Sequence, residues 1–303
     1  MTTTGRFTRQ AMTDAMHQVA RQLGVPVNDA RLIRLTNNAV FALPSAGLVI
    51  RITRSHQLHD RVHKVVRLAQ WFAQIDAPTI RLAPDIAQPV QVGNLLASVW
   101  RYVPSAPQEP TVENLGTVLR EFHALGAPPF PLAAWDPVRD ARLRISDAEA
   151  LSDSHRALLL GWCNRLAPQV AALNRRSGEQ QLIHGDAHVG NLLCQPIGHV
   201  VLCDFDATCI GPWQADLAAV AVGEARFGRT AAHSVLAAAY GYDVTTDPDW
   251  PLLRDARELK MIAAAVPLLA SSAGIAAEFD TRLRSIVEDD QHARWTPYAQ
   301  LSH

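Results

Sequence analysis

The residues whose types and spacing could do chemistry lie in one short segment of the chain. His184-Gly185-Asp186 is followed by Asn191, and Asp204 comes thirteen residues later. The glycines at 185 and 190 allow tight backbone turns, and an apolar hairpin, 192–194 to 200–203, would return Asp204 to the same place. Two carboxylates and an amide are hard oxygen ligands that suit Mg²⁺. Phosphoryl transfer needs such ligands and a carboxylate that orients the acceptor hydroxyl.

The histidines of this segment allow a rival interpretation. His184 and His188, with Asp186, Cys194 and Cys203, could suggest a zinc hydrolase. The glycines at 185 and 190 argue against placing both histidines on one helix face, as zinc-binding His-x-x-x-His pairs require. The spacing therefore favours the magnesium interpretation.

The order of these motifs resembles that of the aminoglycoside phosphotransferase family, which has a protein-kinase-like fold. The resemblance rests on His184-Gly185-Asp186, Asn191, Asp204 and the later Gly211-Pro212 … Asp216-Leu217 element. It implies that Asp186 is the catalytic base and that Asn191 and Asp204 bind Mg²⁺. It further implies that Asp206 is a second-metal or outer acid, that His184 is structural, and that Asp216 is a buried acid bracing the loop.

The resemblance is weaker on the nucleotide side. A glycine-rich phosphate loop is absent, and Thr36-Asn37-Asn38 stands in its place. We expect Asn37 and Asn38 to cap phosphates, although an ordinary turn explains them equally well. Arg51 stands where the family has a phosphate-binding Lys, and a guanidinium can form bidentate hydrogen bonds with phosphate oxygens. The alternative is that Arg51 is an ordinary arginine that faces solvent.

Two further features of the nucleotide site stay open. The helix over 58–75, which normally supplies a Glu to pair with that Lys, contains none, so either Asp60 substitutes or Arg51 has no ion pair. The segment Trp100-Arg101-Tyr102 should give backbone hydrogen bonds to a purine, although its aromatic residues could be ordinary strand residues. The donor is ATP or GTP, and the sequence does not choose between them.

The surrounding elements predict an α+β, bilobal, protein-kinase-like fold. Helical periodicity over 8–23 and 58–75 predicts two helices. Five strands are predicted at 31–35, 39–43, 48–52, 89–92 and 95–102, bounded by turn-rich segments. We therefore predict an N-terminal nucleotide-binding lobe over 1–99 with a five-stranded antiparallel sheet, a hinge at 100–110, and a larger helical lobe over 111–303 with the catalytic loop and acceptor site. A cleft between two such lobes is a usual ligand site.

Composition limits the function classes. The chain has 303 residues and a formal net charge of −1, which argues against a nucleic-acid-binding protein. Its four cysteines form no CxxC pair, which indicates a reducing compartment. Together with a polar N-terminus and the lack of a long apolar run, this predicts a cytoplasmic protein that does not insert into membranes.

The acceptor is predicted only in outline. Residues 205–303 hold an excess of acidic over basic residues, which would suit a cationic acceptor. Nine residues of the helical lobe are candidate acceptor contacts, although solvated helix faces would explain them as well. Five of them are Asp243, Trp250, Asp255, Arg257 and Lys260. The other four are taken as the predicted acceptor contacts: Trp213, Glu224, Arg226 and Glu258.

Together these features predict a Mg²⁺-dependent O-phosphotransferase. Its acceptor would be an antibiotic, either an aminoglycoside or another hydroxylated natural product, so that the enzyme confers resistance by inactivation. A metabolic kinase acting on a choline-, sugar- or amino-alcohol-type substrate is the first alternative. A nucleotide-binding pseudokinase is the second, suggested by the missing Glu. Oligomeric state cannot be predicted.

Overall fold

The computed structural model describes residues 8–35, 38–53, 59–104, 106–148, 150–176, 180–196, 198–270 and 272–301, without the side chain of Ala299. The chain forms two compact units. The first unit comprises residues up to Pro110 together with 190–206, and the second unit comprises 111–189 and the residues from Ala207 onward. Asn37, one of the predicted phosphate contacts, lies outside the described residues.

The first unit contains a five-stranded antiparallel sheet. Its strands are β1 (Arg31–Leu35), β2 (Asn38–Leu43), β3 (Leu48–Thr53), β4 (Val90–Val92) and β5 (Leu95–Arg101), in the order β1-β2-β3-β5-β4. Gly47, at φ 67°, ends the short turn between β2 and β3, a conformation that glycine adopts without steric cost. The register of β3 with β5 places Arg51 opposite Ser98.

Two helices belong to the first unit. Helix α1 (Arg9–Leu23) starts at Thr8, whose side chain accepts a hydrogen bond from the backbone N–H of Ala11. Its apolar residues Met12, Met16 and Val19 are buried in one core with the sheet residues Ile50 and Ile52. Helix α2 (His59–Gln74) buries Val62, Val65 and Phe72 and contacts β5. The periodicity therefore predicted both helices correctly.

A hairpin of β7 (Leu192–Cys194) and β8 (Val200–Leu202) also belongs to the first unit. Leu202 forms a bridge with Thr79, and its carbonyl accepts the N–H of Ile80 at 2.9 Å. Phe205, just beyond β8, packs its ring 5.1 Å from that of Phe72. The hairpin predicted from the sequence is thus confirmed.

The second unit is mostly helical. Its helices are α3 (Val112–His123), α4 (Pro137–Ser146), α5 (Asp153–Asn174), α6 (Gln214–Phe227), α7 (Ala232–Tyr240), α8 (Trp250–Ala263) and α9 (Ala273–Val287), and its short strands β6 (Gln180–Ile183) and β9 (Cys209–Pro212) pair antiparallel. One core contains residues of α4, α5, α8 and α9. Within the described ranges no helix is both long and apolar enough to cross a bilayer.

These elements confirm the predicted fold class. The antiparallel sheet has five strands, as expected, and the second unit is helical apart from two short strands. The predicted lobe bounds, 1–99, 100–110 and 111–303, stay a prediction.

Candidate active site

The loop that carries Asp186 begins at the end of β6. Gly185 has φ +77°, and a Cβ atom on it would lie 2.3 Å from the carbonyl oxygen of Ala207. Both the backbone angle and the close approach require glycine at this position. The loop therefore turns sharply directly before Asp186.

Asp216, near the start of α6, holds this loop from beneath. It is 1% exposed, and its carboxylate accepts the backbone N–H groups of His184 (2.7 Å) and Gly185 (2.8 Å). The Nε2 atom of His123 lies 3.1 Å from the same carboxylate. Burial by itself raises the pKa of Asp216, but these hydrogen bonds outweigh it and hold the pKa below its ordinary value. A charged carboxylate thus fixes the backbone on the N-terminal side of Asp186.

The side chain of Asp186 lies against two cations from α8. Lys260 Nζ donates to Asp186 Oδ1 (2.9 Å) and to the carbonyl oxygen of Gly185 (2.7 Å), and Arg257 Nη1 donates to Asp186 Oδ1 (3.2 Å). Burial raises the pKa of the Asp186 carboxyl, but Lys260 and Arg257 more than offset this and hold it well below its usual range. Asp186 is therefore ionised, and 37% of its side chain is exposed.

The histidines of the loop differ in environment. His184 is fully buried, and its Nδ1 accepts the backbone N–H of Asp186 at 3.3 Å. Burial lowers the pKa of His188 to about 4, so that its imidazole is neutral near pH 7. Across the described ranges, no three His, Cys, Asp or Glu side chains are arranged to hold a metal ion, so the zinc interpretation gains no support.

Asn191 and Asp204 lie on neighbouring backbone segments of the first unit. The backbone N–H of Cys203 donates to the carbonyl oxygen of Asn191 at 2.9 Å. Asp204 has φ +67°, a conformation uncommon outside glycine and one that occurs at functional sites. Its side chain is 32% exposed. Carboxylate and amide oxygens are ligands that Mg²⁺ prefers, and the role of Asn191 and Asp204 as its ligands stays a prediction.

Arg51 contacts both aspartates that follow β8. Its Nη2 donates to Asp206 Oδ2 (2.6 Å) and to Asp204 Oδ1 (3.1 Å), and the more exposed Arg34 lies 3.6 Å from Asp204 Oδ2. Asn38 Nδ2 also donates to Asp206 Oδ2, at 3.3 Å. Burial raises the pKa of Asp206, but Arg51 outweighs this and holds the pKa below its ordinary value. Three residues predicted to contact nucleotide or metal, Asn38, Arg51 and Asp206, thus form one cluster.

This cluster answers the question about the partner of Arg51. Its partners are Asp206 and Asp204, rather than Asp60 of α2. Helix α2 instead presents Lys64, whose Nζ donates to the backbone carbonyl of Asp206 at 2.6 Å. A cation therefore stands in the part of α2 where the resembling family would have its Glu, and no sequence pattern indicated what it contacts.

In the predicted purine-binding segment, two backbone N–H groups already donate hydrogen bonds to protein carbonyl oxygens. The backbone N–H of Arg101 donates to Arg81 O (2.9 Å) and that of Tyr102 to Gly47 O (2.8 Å). Trp100 is 3% exposed and donates from its indole to Ser98 Oγ, as an ordinary core aromatic residue does. The role of this segment in binding a purine stays a prediction, and the structure shows that the amides of Arg101 and Tyr102 already have protein acceptors.

Two of the predicted acceptor contacts are accessible. Trp213 stacks on Tyr240 with ring centroids 5.3 Å apart. Glu224 accepts the backbone N–H of His233 (2.7 Å) and lines a pocket of about 440 Å³ within the second unit, together with Trp250 and Arg294. Either residue could meet a small molecule.

The other two predicted acceptor contacts are buried. Arg226 is 2% exposed and Glu258 5%, and Arg226 Nε donates to Glu258 Oε1 at 2.7 Å. Arg226 also donates to the carbonyl oxygen of Asp290, and its guanidinium lies over the ring of Trp295. Arg226 and Glu258 form a buried ion pair within the second unit, and such a pair is not placed to bind an acceptor.

Arg257 and Lys260 are the functional candidates that the sequence did not connect with Asp186. Their spacing places them on one face of α8, and their charge made them candidate acceptor contacts. The sequence cannot reveal that this face meets a loop more than seventy residues earlier. His123, which contacts Asp216, gave no signal at all.

Known proteins resemble the chain at the level of family and fold. The sequence model of the phosphotransferase enzyme family, abbreviated APH, matches residues 29–255. No curated protein sequence matches the chain.

Solved structures of small-molecule kinases superpose on most of the chain. Amicoumacin kinase hAmiN, solved in complex with AMP-PNP, Ca²⁺ and Ami, matches at TM-score 0.70 and 13% identity, covering 95% of this chain and 98% of the kinase. A microcompartment-associated aminopropanol kinase gives 0.67 and 19%, covering 93% and 100%. Aminoglycoside phosphotransferase APH(3'')-Id from Streptomyces rimosus gives 0.60 and 19%, covering 82% and 98%. At these identities the likeness establishes the fold.

Proposed function

The chain belongs to the phosphotransferase enzyme family, and we propose that it transfers the γ-phosphate of a nucleoside triphosphate to a hydroxyl group of a small molecule. The observation that carries the proposal is the setting of Asp186. An ionised, accessible carboxylate stands on a loop whose backbone is fixed by the buried Asp216. This is the arrangement that a base for an acceptor hydroxyl needs.

In the proposed reaction the acceptor oxygen attacks the γ-phosphorus. A new O–P bond forms, the bond from the γ-phosphorus to the β–γ bridging oxygen breaks, and the nucleoside diphosphate leaves. The hydroxyl proton passes to a carboxylate oxygen of Asp186. The low pKa of this carboxyl makes it a weak base, so its larger contribution is to orient the hydroxyl while the transition state forms.

Asn191 and Asp204 are the proposed Mg²⁺ ligands. A bound Mg²⁺ would neutralise charge on the β- and γ-phosphate oxygens. Asp206, which is held by Arg51, Asn38 and Lys64, is better suited to position Arg51 than to replace Asp204 as a ligand. Arg51 has further N–H donors for phosphate oxygens.

The acceptor is proposed at the level of a hydroxylated small molecule. An antibiotic acceptor, and with it a role in resistance, is supported by the likeness to amicoumacin kinase. A metabolic amino-alcohol or sugar acceptor is supported by the likeness to the aminopropanol kinase. Both use the same chemistry at Asp186, so the proposed reaction does not depend on the choice.

The proposal is tested by a turnover screen with purified protein. A panel of antibiotics, amino alcohols and sugars is incubated with ATP or GTP, with Mg²⁺ and with excess chelator, and nucleoside diphosphate is measured. We expect acceptor-dependent turnover that chelation abolishes. Asp186→Ala should lower kcat about a thousandfold, since it removes the base, while the nucleotide Kd changes less than threefold.

A control variant separates this loss from general damage. Asp280→Ala removes an aspartate that is half exposed on α9, where it lies near His155, and should retain full turnover. If Asp186→Ala turns over near the wild-type rate, the assignment of the base is wrong. If no acceptor supports Mg²⁺-dependent turnover, the non-catalytic alternative is the better description.

A further inference from the structure

The charge balance around Asp186 differs from that expected for a cationic acceptor. Arg257 and Lys260 both donate to the same oxygen of Asp186, and they are spaced three residues apart on α8. Two cations thus face one carboxylate at the place where the acceptor hydroxyl is proposed to lie. The immediate surroundings of the base carry an excess of positive charge.

These cations have hydrogen-bonding capacity left. A guanidinium has five N–H donors, and within the described ranges Arg257 uses one of them, on Asp186. Its Nε is buried without a partner, so a ligand would be bound by the remaining Nη donors. Lys260 uses two donors, on Asp186 and on Gly185 O. The side chains are 18% and 25% exposed, so a small ligand beside Asp186 can reach both.

The acidic residues of the surrounding helices are engaged with protein partners. Each accepts a hydrogen bond within the second unit: Glu224 from His233, Asp243 from Thr245, Asp247 from Gln214 and Tyr242, Asp249 from Arg176, Asp255 from Trp162, and Glu258 from Arg226 and Arg254. These acids are therefore already paired within the protein, whereas Arg257 and Lys260 are partly exposed beside Asp186. The arrangement around Asp186 favours an anionic group on the acceptor, whereas the net charge of the C-terminal third suggested a cationic one.

We propose that the acceptor carries an anionic oxygen group, a carboxylate or a phosphate, close to the hydroxyl that is phosphorylated, and that Arg257 and Lys260 bind this group. The proposal rests on the proposed phosphotransfer reaction and narrows its substrate class. The planar fork of Arg257 matches the paired oxygens of such an anion. A polycationic acceptor would instead bring further positive charge against Arg257 and Lys260.

The wild-type enzyme tests the proposal with matched alcohols. Glycerol, glycerate and glycerol 3-phosphate share a skeleton and differ in their anionic group, and ethanolamine and serine form a second pair. Each is assayed as acceptor, alongside a polycationic aminoglycoside. We expect kcat/KM for the best anionic member to exceed that of its uncharged or cationic counterpart at least tenfold, and the glycerate and glycerol 3-phosphate arms decide between carboxylate and phosphate.

Substitutions on α8 then test whether Arg257 and Lys260 cause the preference for anionic acceptors. Arg257→Gln should reduce the anion-to-neutral ratio of kcat/KM about tenfold, mainly through the KM for the anionic acceptor. Arg254→Gln is the matched control, because it removes the same charge from the same helix at the same 18% side-chain exposure and contacts Glu258 rather than Asp186. It should leave the ratio unchanged. Lys260→Arg keeps a cation near the loop and should retain the preference if the fold is intact by circular dichroism.

The outcomes separate this inference from the proposed function. Turnover with a preference for neutral or cationic acceptors overturns the inference and leaves the phosphotransferase proposal standing. If no acceptor is turned over, calorimetric titration of the wild type and Arg257→Gln with glycerate and glycerol 3-phosphate decides the inference independently. Tighter binding of the anions than of glycerol, lost in Arg257→Gln, supports it, and equal binding of all three contradicts it.

Discussion

Two clusters of charged residues, one in each compact unit, use the same residue types in different proportions. In the first unit the carboxylates of Asp204 and Asp206 share Arg51, with the more exposed Arg34 beside Asp204. In the second unit the single carboxylate of Asp186 is shared by Arg257 and Lys260. Lys64 also lies at the first cluster, where it donates to the backbone carbonyl of Asp206. The first cluster therefore has two carboxylates among its cations, and the second has one.

The difference shows what each cluster can accept. Carboxylate oxygens in the first cluster can exchange a guanidinium for a divalent cation, because both satisfy the same negative charge. In the proposed reaction the second cluster offers its carboxylate to a neutral hydroxyl, and its cationic donors bind the anionic group that we propose for the acceptor. The ion pairs at Asp186 lead us to propose an anionic group on the acceptor, whereas the net charge of the C-terminal third suggested a cationic acceptor.

The largest expected effect on the second cluster comes from substituting Asp216, which holds the backbone just before Asp186. Asp216→Asn should lower the free energy of unfolding by about 3 kcal/mol at pH 7, because a buried charged acceptor of two backbone N–H groups is lost. The folded-state pKa of Asp216 lies below its ordinary value of 3.8. Its stabilisation is therefore complete above that pH and is lost as the pH falls through the folded-state pKa.

Urea unfolding at pH 7, 5 and 3 measures this dependence. The difference in the free energy of unfolding between wild type and Asp216→Asn should be the same at pH 7 and 5 and should be smaller at pH 3. Asp247→Asn, which changes another buried acid of the same unit that accepts hydrogen bonds, should leave kcat unchanged, whereas Asp216→Asn should lower it. A difference that is larger in acid would contradict the charge assigned to Asp216.

The first cluster is separated into its two carboxylates by matched amide substitutions. Asp204→Asn should lower kcat about a hundredfold and raise the Mg²⁺ concentration needed for half-maximal rate, because the ligand loses its charge. Asparagine tolerates the positive φ of residue 204, so the backbone is not the cause. Asp206→Asn should affect the nucleotide KM more than the Mg²⁺ requirement. If Asp206→Asn raises the Mg²⁺ requirement more than Asp204→Asn does, Asp206 is the Mg²⁺ ligand and Asp204 is the residue that positions Arg51.

Local sequence patterns predicted the helices, the strands and the catalytic loop. They could not predict which side chains contact each other when the residues are far apart in the sequence. Alternation and periodicity located β3, α2 and the β7–β8 hairpin within one or two residues, because each depends on neighbours in sequence. The contacts of Arg51 with Asp206, and of Lys260 with Asp186, join residues 155 and 74 positions apart. Nor can charge alone distinguish the buried Arg226–Glu258 pair from an exposed one.

The smallest expected effect concerns Arg51 itself, and it tests whether the first cluster binds the nucleotide. Arg51→Met should raise the nucleotide KM about tenfold, since charge-assisted hydrogen bonds to phosphate are lost, and Arg51→Lys should recover part of this. Arg34→Met removes a guanidinium that is 49% exposed and 3.6 Å from Asp204, and it should change the nucleotide KM less than twofold, as exposed ion pairs contribute little. Steady-state rates at varied nucleotide and saturating acceptor give all three values. Should Arg51→Met and Arg34→Met behave alike, Arg51 only neutralises the aspartates, and the phosphate contacts must come from elsewhere in the first unit.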